Sequence, residues 1–442
     1  MKNKIFLIML IACIFAFFIT NLSSMNALDN SSYVIAIGFD NPENENEKVK
    51  LTFQLASPYN SSGGESKNIQ TKEISVESNT LNEGINEVNN YLNNKVNLSY
   101  MKAAVFSKNF LSNDITNYVA DLINNVEVRP YASIIISNCD ASYFLKNSKP
   151  ILQDIPSKYY NLELSSERNT SQIKNTTLHD FYSSYYDNTK DQVAIFSDIT
   201  SELEQSNENF SNDKDINNNE TSQIKNSNIK DKNNSSNTSN NTISKSNESN
   251  NTDNSIENSK GNSSNHIKNL GLAVFKKGNL VGFLDKNETM CNLIITNQFK
   301  NSTITINDPI KKNEYLSLYV SNIKCKNYIK MVNNAPVVFC NINLNARLVS
   351  ANVNQNYMTK ENLEKIEQIT NSYLKQMVEN YLYKTSLSLR ADINAYGKYA
   401  VKYFYTKDEW SSYDWKDQYT NSIFKVSVNT KLKSSYIIVG TK

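Results

Sequence analysis

The feature that most constrains this 442-residue chain is a tract from about Ser201 to Asn269, where Asn, Ser, Lys and Thr crowd out nearly every apolar side chain. Aromatic residues vanish after Phe210 and do not return until Phe275. A segment of that composition buries too little apolar surface to offset the entropy of ordering its backbone, so it is expected to be a disordered joint between two folded halves. At about 150 residues per domain, the rest of the chain suffices for two sizeable cores. The expected organisation is a leader over residues 1–24, an N-terminal domain over 25–200 (with room for two subdomains), a linker over 201–268 and a C-terminal domain over 269–442.

Met1–Lys4 carries two lysines, and Ile5–Thr20 then runs apolar without a charge. That is the pattern of an export signal or a membrane anchor. Lysines before the run favour the remainder of the chain lying outside the cytoplasm. Two tethers fit. Leu10-Ile11-Ala12-Cys13 matches a bacterial lipobox, which would place a lipid on the Cys13 thiol, whereas the apolar continuation through Phe18 suits an uncleaved anchor helix. The other cysteines, Cys139, Cys291, Cys325 and Cys340, show no C-x-x-C spacing and are expected to be buried free thiols in strands.

Hydrophobic periodicity orders the N-terminal half. Tyr33–Gly38 and Val49–Ala56 read as two strands of a hairpin, Thr80–Leu92 as an amphipathic helix, and Met101–Phe106 as a strand. A helix around Ile115–Leu122, a strand at Ser133–Ser137 and a short helix at Asp180–Tyr186 follow. Strands alternating with helices argue for mixed α/β. Beyond the tract, Leu272–Phe275 and Leu280–Leu284 form a hairpin around Gly278-Asn279, and Asp285 can cap a helix running to about Leu293. Strands are expected at Ser302–Ile306, Tyr315–Lys324, Val337–Ser350, Val401–Tyr405, Phe424–Val428 and Tyr436–Val439. The longest helical pattern opens at Thr359, with Leu363, Ile366, Ile369, Tyr373, Met377 and Tyr381 as its apolar stripe. The second half therefore reads as an antiparallel sheet with one long helix, and the fold class as α+β or mixed α/β.

The chemistry-bearing residues are sparse. Lys and Arg total 46 against 44 Asp and Glu, a net charge of +2 that argues against a nucleic-acid binder with a concentrated basic face. His179 and His266 are the only imidazoles, and His266 falls at the edge of the polar tract. No nucleophile elbow, phosphate loop, zinc-protease or dinucleotide motif is present, so no catalytic, cofactor or metal residue is nominated. Asp40, Glu43, Glu45 and Glu47 alternate in a loop but lack the Gly and closing Glu of an EF-hand, which reads as a solvated hairpin. Trp410 and Trp415, among Asp408, Glu409, Asp414 and Asp417, form the densest aromatic-acidic cluster. Paired Trp rings could contact a sugar, a cationic ligand or a partner, or could anchor a loop on the sheet.

A serial pattern runs through both halves. Gly271–Leu284 followed by Asp285-x-x-Glu288-Thr289, then Ala391-Asp392-Ile393-Asn394-Ala395-Tyr396-Gly397, then Trp415 and a closing strand ending at Gly440, resembles the Ger(x)C family, the C subunits of spore nutrient-germinant receptors. In the first half Tyr33–Asp40, Ala56-Ser57-Pro58, Ser99–Lys102 and Val128-Arg129-Pro130 fit the same family in the same order. The resemblance implies a non-catalytic spore germination lipoprotein on the outer face of the spore inner membrane, without a cofactor, acting with integral-membrane A and B subunits. Asn21–Ser32 holds no Cys where the family has its lipidation site, so Cys13 would be a displaced equivalent carrying the diacylglycerol and palmitate, or the apolar segment stays as an anchor. The competing reading is a stand-alone extracellular solute- or sugar-binding lipoprotein that uses the Trp410/Trp415 region.

Overall fold

The computed structural model describes residues 31–56, 71–148, 160, 170–201, 265–351 and 355–433. The leader with Cys13, residues 202–264 of the polar tract and the strand expected near Tyr436–Val439 lie outside them.

The apolar runs of the first half pair as a mixed sheet. β1 (Ser31–Asp40), β2 (Val49–Ala56) and β3 (Thr71–Ser78) form an antiparallel meander. The chain then forms helix α1 (Leu81–Tyr91), the short β4 (Lys95–Asn97) beside β1, and β5 (Ala103–Ser107), which runs parallel to β1. Thr80 accepts from the Glu83 amide as the α1 N-cap, so the helix begins where the sequence places it. Helix α2 (Thr116–Asn124), β6 (Ser133–Ser137), helix α3 (Ala141–Asn147), helix α4 (Leu178–Tyr186) and β7 (Gln192–Ser201) complete this half. β5, β6 and β7 are parallel. Both β5 and β6 are buried at every position, as parallel strands covered on both faces must be. Phe39, Ala104, Phe106, Ile134 and Ile136 face a core shared with α1, α2 and α4. Ile35, Val105 and Ile135 face Phe144 and Leu145 of α3 on the other side. The Asp40 carboxylate accepts from the Ala141 and Ser142 amides at 2.7 and 2.8 Å, so the last residue of β1 satisfies the start of α3.

The hairpin after the polar tract belongs to this same sheet. β8 (Asn265–Lys276) and β9 (Asn279–Leu284) continue it past β7, giving the order β3-β2-β1-β5-β6-β7-β8-β9. The boundary drawn at residue 269 therefore falls inside β8, and His266, expected at a disordered edge, is a buried residue of that strand. Buried Ser197 of β7 donates to Asn269 of β8 at 2.7 Å.

The second sheet has the order β10 (Asn301–Asn307), β11 (Tyr315–Val332), β12 (Ala335–Ser350) and β13 (Ile423–Leu432). Helix α5 (Lys286–Ile295) leads into it behind an Asp285/Glu288 capping box, and its closing residues from Thr289 to Ile295 are all buried. Helix α6 (Lys360–Tyr383) follows its Thr359 N-cap. It also covers the β13 edge, where the Thr430 and Leu432 amides donate to Asn371 and Glu367 at 2.8 Å each. One compact unit contains both sheets, formed by the described residues before 201 and from 265 onward.

Four local expectations are corrected. The second sheet is not wholly antiparallel: β12 and β13 run parallel because α6 carries the chain back before β13 begins. The strand expected at Val401–Tyr405 begins as a helical turn, Val401–Tyr403, and Val401 and Tyr405 are exposed rather than buried against a sheet. The buried stripe of α6 is Ile366, Thr370, Leu374, Val378, Tyr381 and Leu382, whereas Ile369 and Tyr373 are each 38% exposed. Thr370 can face inward because its hydroxyl donates to the Ile366 carbonyl at 2.7 Å. Finally, Cys291 is a buried thiol in α5 rather than in a strand, while Cys325 and Cys340 are buried in β11 and β12.

The β8–β9 ladder makes a sharp prediction. Gly271 has φ +146, and a Cβ there would lie 1.9 Å from the Leu284 carbonyl oxygen. Gly271→Ala should lower the unfolding free energy by about 2–4 kcal/mol in urea titration. A loss within about 0.5 kcal/mol would mean that this close approach does not exist.

Candidate functional site

The residues that carry the family resemblance in the second half converge on one buried carboxylate. Asp392 lies after the wide helical turn Lys384–Ser388 that ends α6, and it is fully buried. One of its oxygens accepts from the Gly397 amide at 2.9 Å and the Trp415 indole at 2.8 Å, and the other accepts from the Asn394 amide at 3.1 Å. Gly397 is required by space: a Cβ there would meet the Thr189 backbone at 2.5 Å. Asp392 and Asp191 also exchange backbone contacts. The Asp191 amide donates to the Asp392 carbonyl at 2.8 Å, and the Asp392 amide donates to the Asp191 carboxylate at 2.8 Å.

Asp191 immediately precedes β7, so this exchange ties the first sheet to the layer carrying the second. Lys416, whose side chain is only 7% exposed, pairs with Asp191 at 3.3 Å. Lys276 of β8 donates to the Lys416 carbonyl at 3.1 Å and to Asp417 at 2.8 Å. Gln192 accepts from the Gly278 amide at 3.0 Å in the same region. Close by, Asn292 of α5 donates to Tyr381, to the Ile393 carbonyl and to Asn394 at 3.0–3.2 Å, and accepts from Lys174 at 2.7 Å. Glu288 at the start of α5 holds Lys384 at 2.7 Å.

Burial sets the electrostatics. Removal from water pushes the Asp392 carboxyl up to about 7, against the pull of the Trp415 indole and the Gly397 amide. Asp191 is raised for the same reason, and its pairing with Lys416 only partly opposes this. Asp417 lies below the usual carboxylate range because Lys276 bonds it. The donors around Asp392 come from this chain itself, which suits a fixed joint.

Trp410 and Trp415 do come together, with ring centroids 6.1 Å apart and planes at 22°. They are 7% and 2% exposed, packed among Phe404, Tyr413 and Tyr419. An indentation of about 390 Å³ beside them is lined by Tyr185, Asn188, Lys277, Asp414 and Lys416 as well as by the two rings, which show it little of their faces. Among the neighbouring acids, Glu409 accepts from the Tyr405 amide at 2.8 Å and Asp417 serves Lys276. A wider cleft of about 540 Å³ between α1 and α2 is lined by amides, among them Asn82, Asn86, Asn89 and Asn125, together with apolar and charged side chains.

His179 is exposed at the start of α4. The carboxylates of the first hairpin do not converge: Asp40 caps α3, and Glu43 pairs with Lys50. Among the described residues, no three His, Cys, Asp or Glu side chains are grouped to hold a metal ion. Sequence reasoning missed Asp191, Lys276 and Lys416. Asp191 and Lys416 lie in no motif, and Lys276, although within the Gly271–Leu284 pattern, carries no local sign of its partners.

Two variants test this joint. An Asp with an unfolded pKa of about 3.9 and a folded value near 7 holds a proton in the folded state that the unfolded state has released. Its contribution to stability is full below about pH 4, falls as pH rises to about 7, and is level beyond. The stability advantage of the wild type over Asp392→Asn should therefore shrink between pH 4.5 and 7.5, by at most ~4 kcal/mol, in urea titrations at constant salt. An equal gap at both pH values would contradict the assignment. Trp415→Phe keeps an aromatic ring but removes the indole donor and some buried volume, and should cost about 1–3 kcal/mol in the same titrations.

Comparison with known proteins agrees with the serial pattern. The family model described as the spore germination protein N-terminal domain matches residues 24–196. The model described as spore germination B3/GerAC-like, C-terminal, matches residues 270–436. The spore germination protein GerQC of Bacillus cereus is 22% identical over 167 residues, 37% of this chain and 45% of that protein, so under half of the relative's length is spanned. The crystal structure of the GerBC protein is similar with a TM-score of 0.49 and 14% identity, covering 90% of this chain and 98% of that one. With both family halves present in order on either side of the polar tract, the chain belongs to the Ger(x)C family of spore germination proteins.

Proposed function

We propose that this chain is the non-catalytic C subunit of a nutrient-germinant receptor, tethered on the outer face of the spore inner membrane and assembled with integral-membrane A and B subunits. The observation that carries this reading is the pair of family matches, residues 24–196 and 270–436, on one chain. Supporting it, the residues that carry the resemblance serve the joint between the layers: Asp392, Gly397 and Trp415 form it, and Glu288 ties α5 to the end of α6. A body so joined can hold partner subunits in fixed relation and pass a displacement from one layer to the other. The lysines and apolar run at Met1–Thr20 would supply the tether, with or without acylation of Cys13. Among the described residues no helix is long and apolar enough to cross a membrane, so the proposed tether rests on the leader.

A pull-down of the tagged chain from spore inner membranes should bring down two multi-span proteins. Deletion of its gene should impair germination with one nutrient class while sporulation stays normal. Unchanged germination with every nutrient, in a strain lacking paralogues, would contradict the proposal. Intact mass of the membrane-extracted chain distinguishes the tethers: a diacylglycerol-modified Cys13 at the new N-terminus for lipidation, an unmodified Met1 start for an anchor helix.

A further inference from the structure

The near-zero net charge of the chain hides a segregation in its second sheet. β10, β11, β12 and β13 contain no Asp or Glu. The face turned away from α6 presents Lys324, Lys326, Lys330, Arg347, Lys425 and Lys431, all exposed. A register shift between Ser321 and Lys324 sets this arrangement. It turns Ile323, Cys325 and Ile329 inward and the three β11 lysines outward, where an unshifted strand would reverse the faces. The strand register then sets Tyr328, Phe339 and Lys425 in one row across the sheet, and Lys326, Asn341 and Ser427 in another.

These cations differ from the paired lysines of α6. On α6, Lys365 pairs with Glu361 and Lys375 with Glu379. On the sheet face three of the six cations lie over rings: Arg347 is 4.7 Å from the centre of Tyr319, and Lys330 and Lys425 are each 5.7 Å from that of Phe339. Tyr328 stacks on Phe339 at 4.6 Å with planes 5° apart. Among these polar residues, Val349 and Ile423 are half exposed. Among the described residues no Asp or Glu forms an ion pair with these cations, and like charge gathered on a sheet is unfavourable by itself, so a compensating anion has a physical use here.

We infer that the outer face of β10–β13 docks on an anionic phospholipid surface. Phosphate headgroups match the cations, the interfacial region suits Tyr and Phe rings, and exposed Val349 and Ile423 can enter the acyl boundary. A nucleic acid would use the cations and rings but leave the aliphatic side chains in water. An open sheet also lacks the groove in which an acidic peptide would lie. The inference rests on the proposed membrane location, and its test separates the two.

The full-length chain is mixed with vesicles of neutral phosphatidylcholine or of phosphatidylcholine with phosphatidylglycerol. Flotation with the neutral vesicles reads the leader, and the acetylation rate of each lysine, followed by mass spectrometry, reads the face. Lys324, Lys326, Lys425 and Lys431 should react about tenfold more slowly on the anionic vesicles, and the protection should fade at high salt. Lys365 and Lys375 on α6 should react equally on both lipids. In the triple variant Lys324→Glu, Lys326→Glu, Lys425→Glu, protection of Lys431 should be lost. Equal labelling on both lipids, protection that survives in the triple variant, or protection only on adding nucleic acid overturns the inference. Protection on anionic vesicles without flotation on neutral ones would sink the leader's role and leave the docking face standing.

Discussion

The arrangement of the molecule depends on one buried carboxylate. Asp392 gathers the Gly397 amide, the Trp415 indole and the Asn394 amide, and its own backbone is paired with Asp191 at the start of β7. A buried carboxyl is costly unless donors surround it; here the donors come from the segment Asn394–Trp415, while the backbone of Asp392 pairs with Asp191, far off in the chain. Removing one partner leaves a polar group stranded in the core, so the segments that supply the donors are held together. Lys416 and Lys276 extend the tie to the strand that follows the polar tract.

This tie changes the meaning of the Asn-rich tract. Composition suggested a joint between two separate domains. Instead, β7 and β8, the strands that bracket residues 202–264, are neighbours in one sheet. Loop-closure entropy grows only logarithmically with length, so a long insertion between adjacent strands is thermodynamically tolerable. The second layer then rests on the first through α5, the Asp392 segment and the Trp415 region. A C subunit built this way would present its partners with one body.

Local elements were legible in the sequence because their causes are local. Asp285 announced α5 by capping chemistry, apolar spacing announced the helices that begin after Thr80 and Thr359, and the alternation of β12 was plain from Val338 to Leu348. What escaped was non-local. Nothing within Leu272–Leu284 says that its hairpin extends the first sheet, and nothing within Phe424–Val428 says that its partner runs parallel. The inward turn of Thr370 depends on a backbone bond that hydrophobicity does not register. Of the joint, Asp392, Gly397 and Trp415 stood in the recognisable pattern, but Asp191 and Lys416 become visible only when distant segments meet. The two Trp residues, singled out as contacts for a ligand or partner, are largely enclosed in packing around that joint.

The central claim is that both family halves form one body across the insert, held at Asp392. It is tested most directly by placing a single protease site within residues 202–264, cutting the folded chain there, and measuring the mass of the particle in solution. The account predicts that both fragments stay together as one particle of the uncut mass, 50.3 kDa for the unmodified full-length chain, and unfold in a single transition. Fragments that separate on cutting, each still folded, would contradict it.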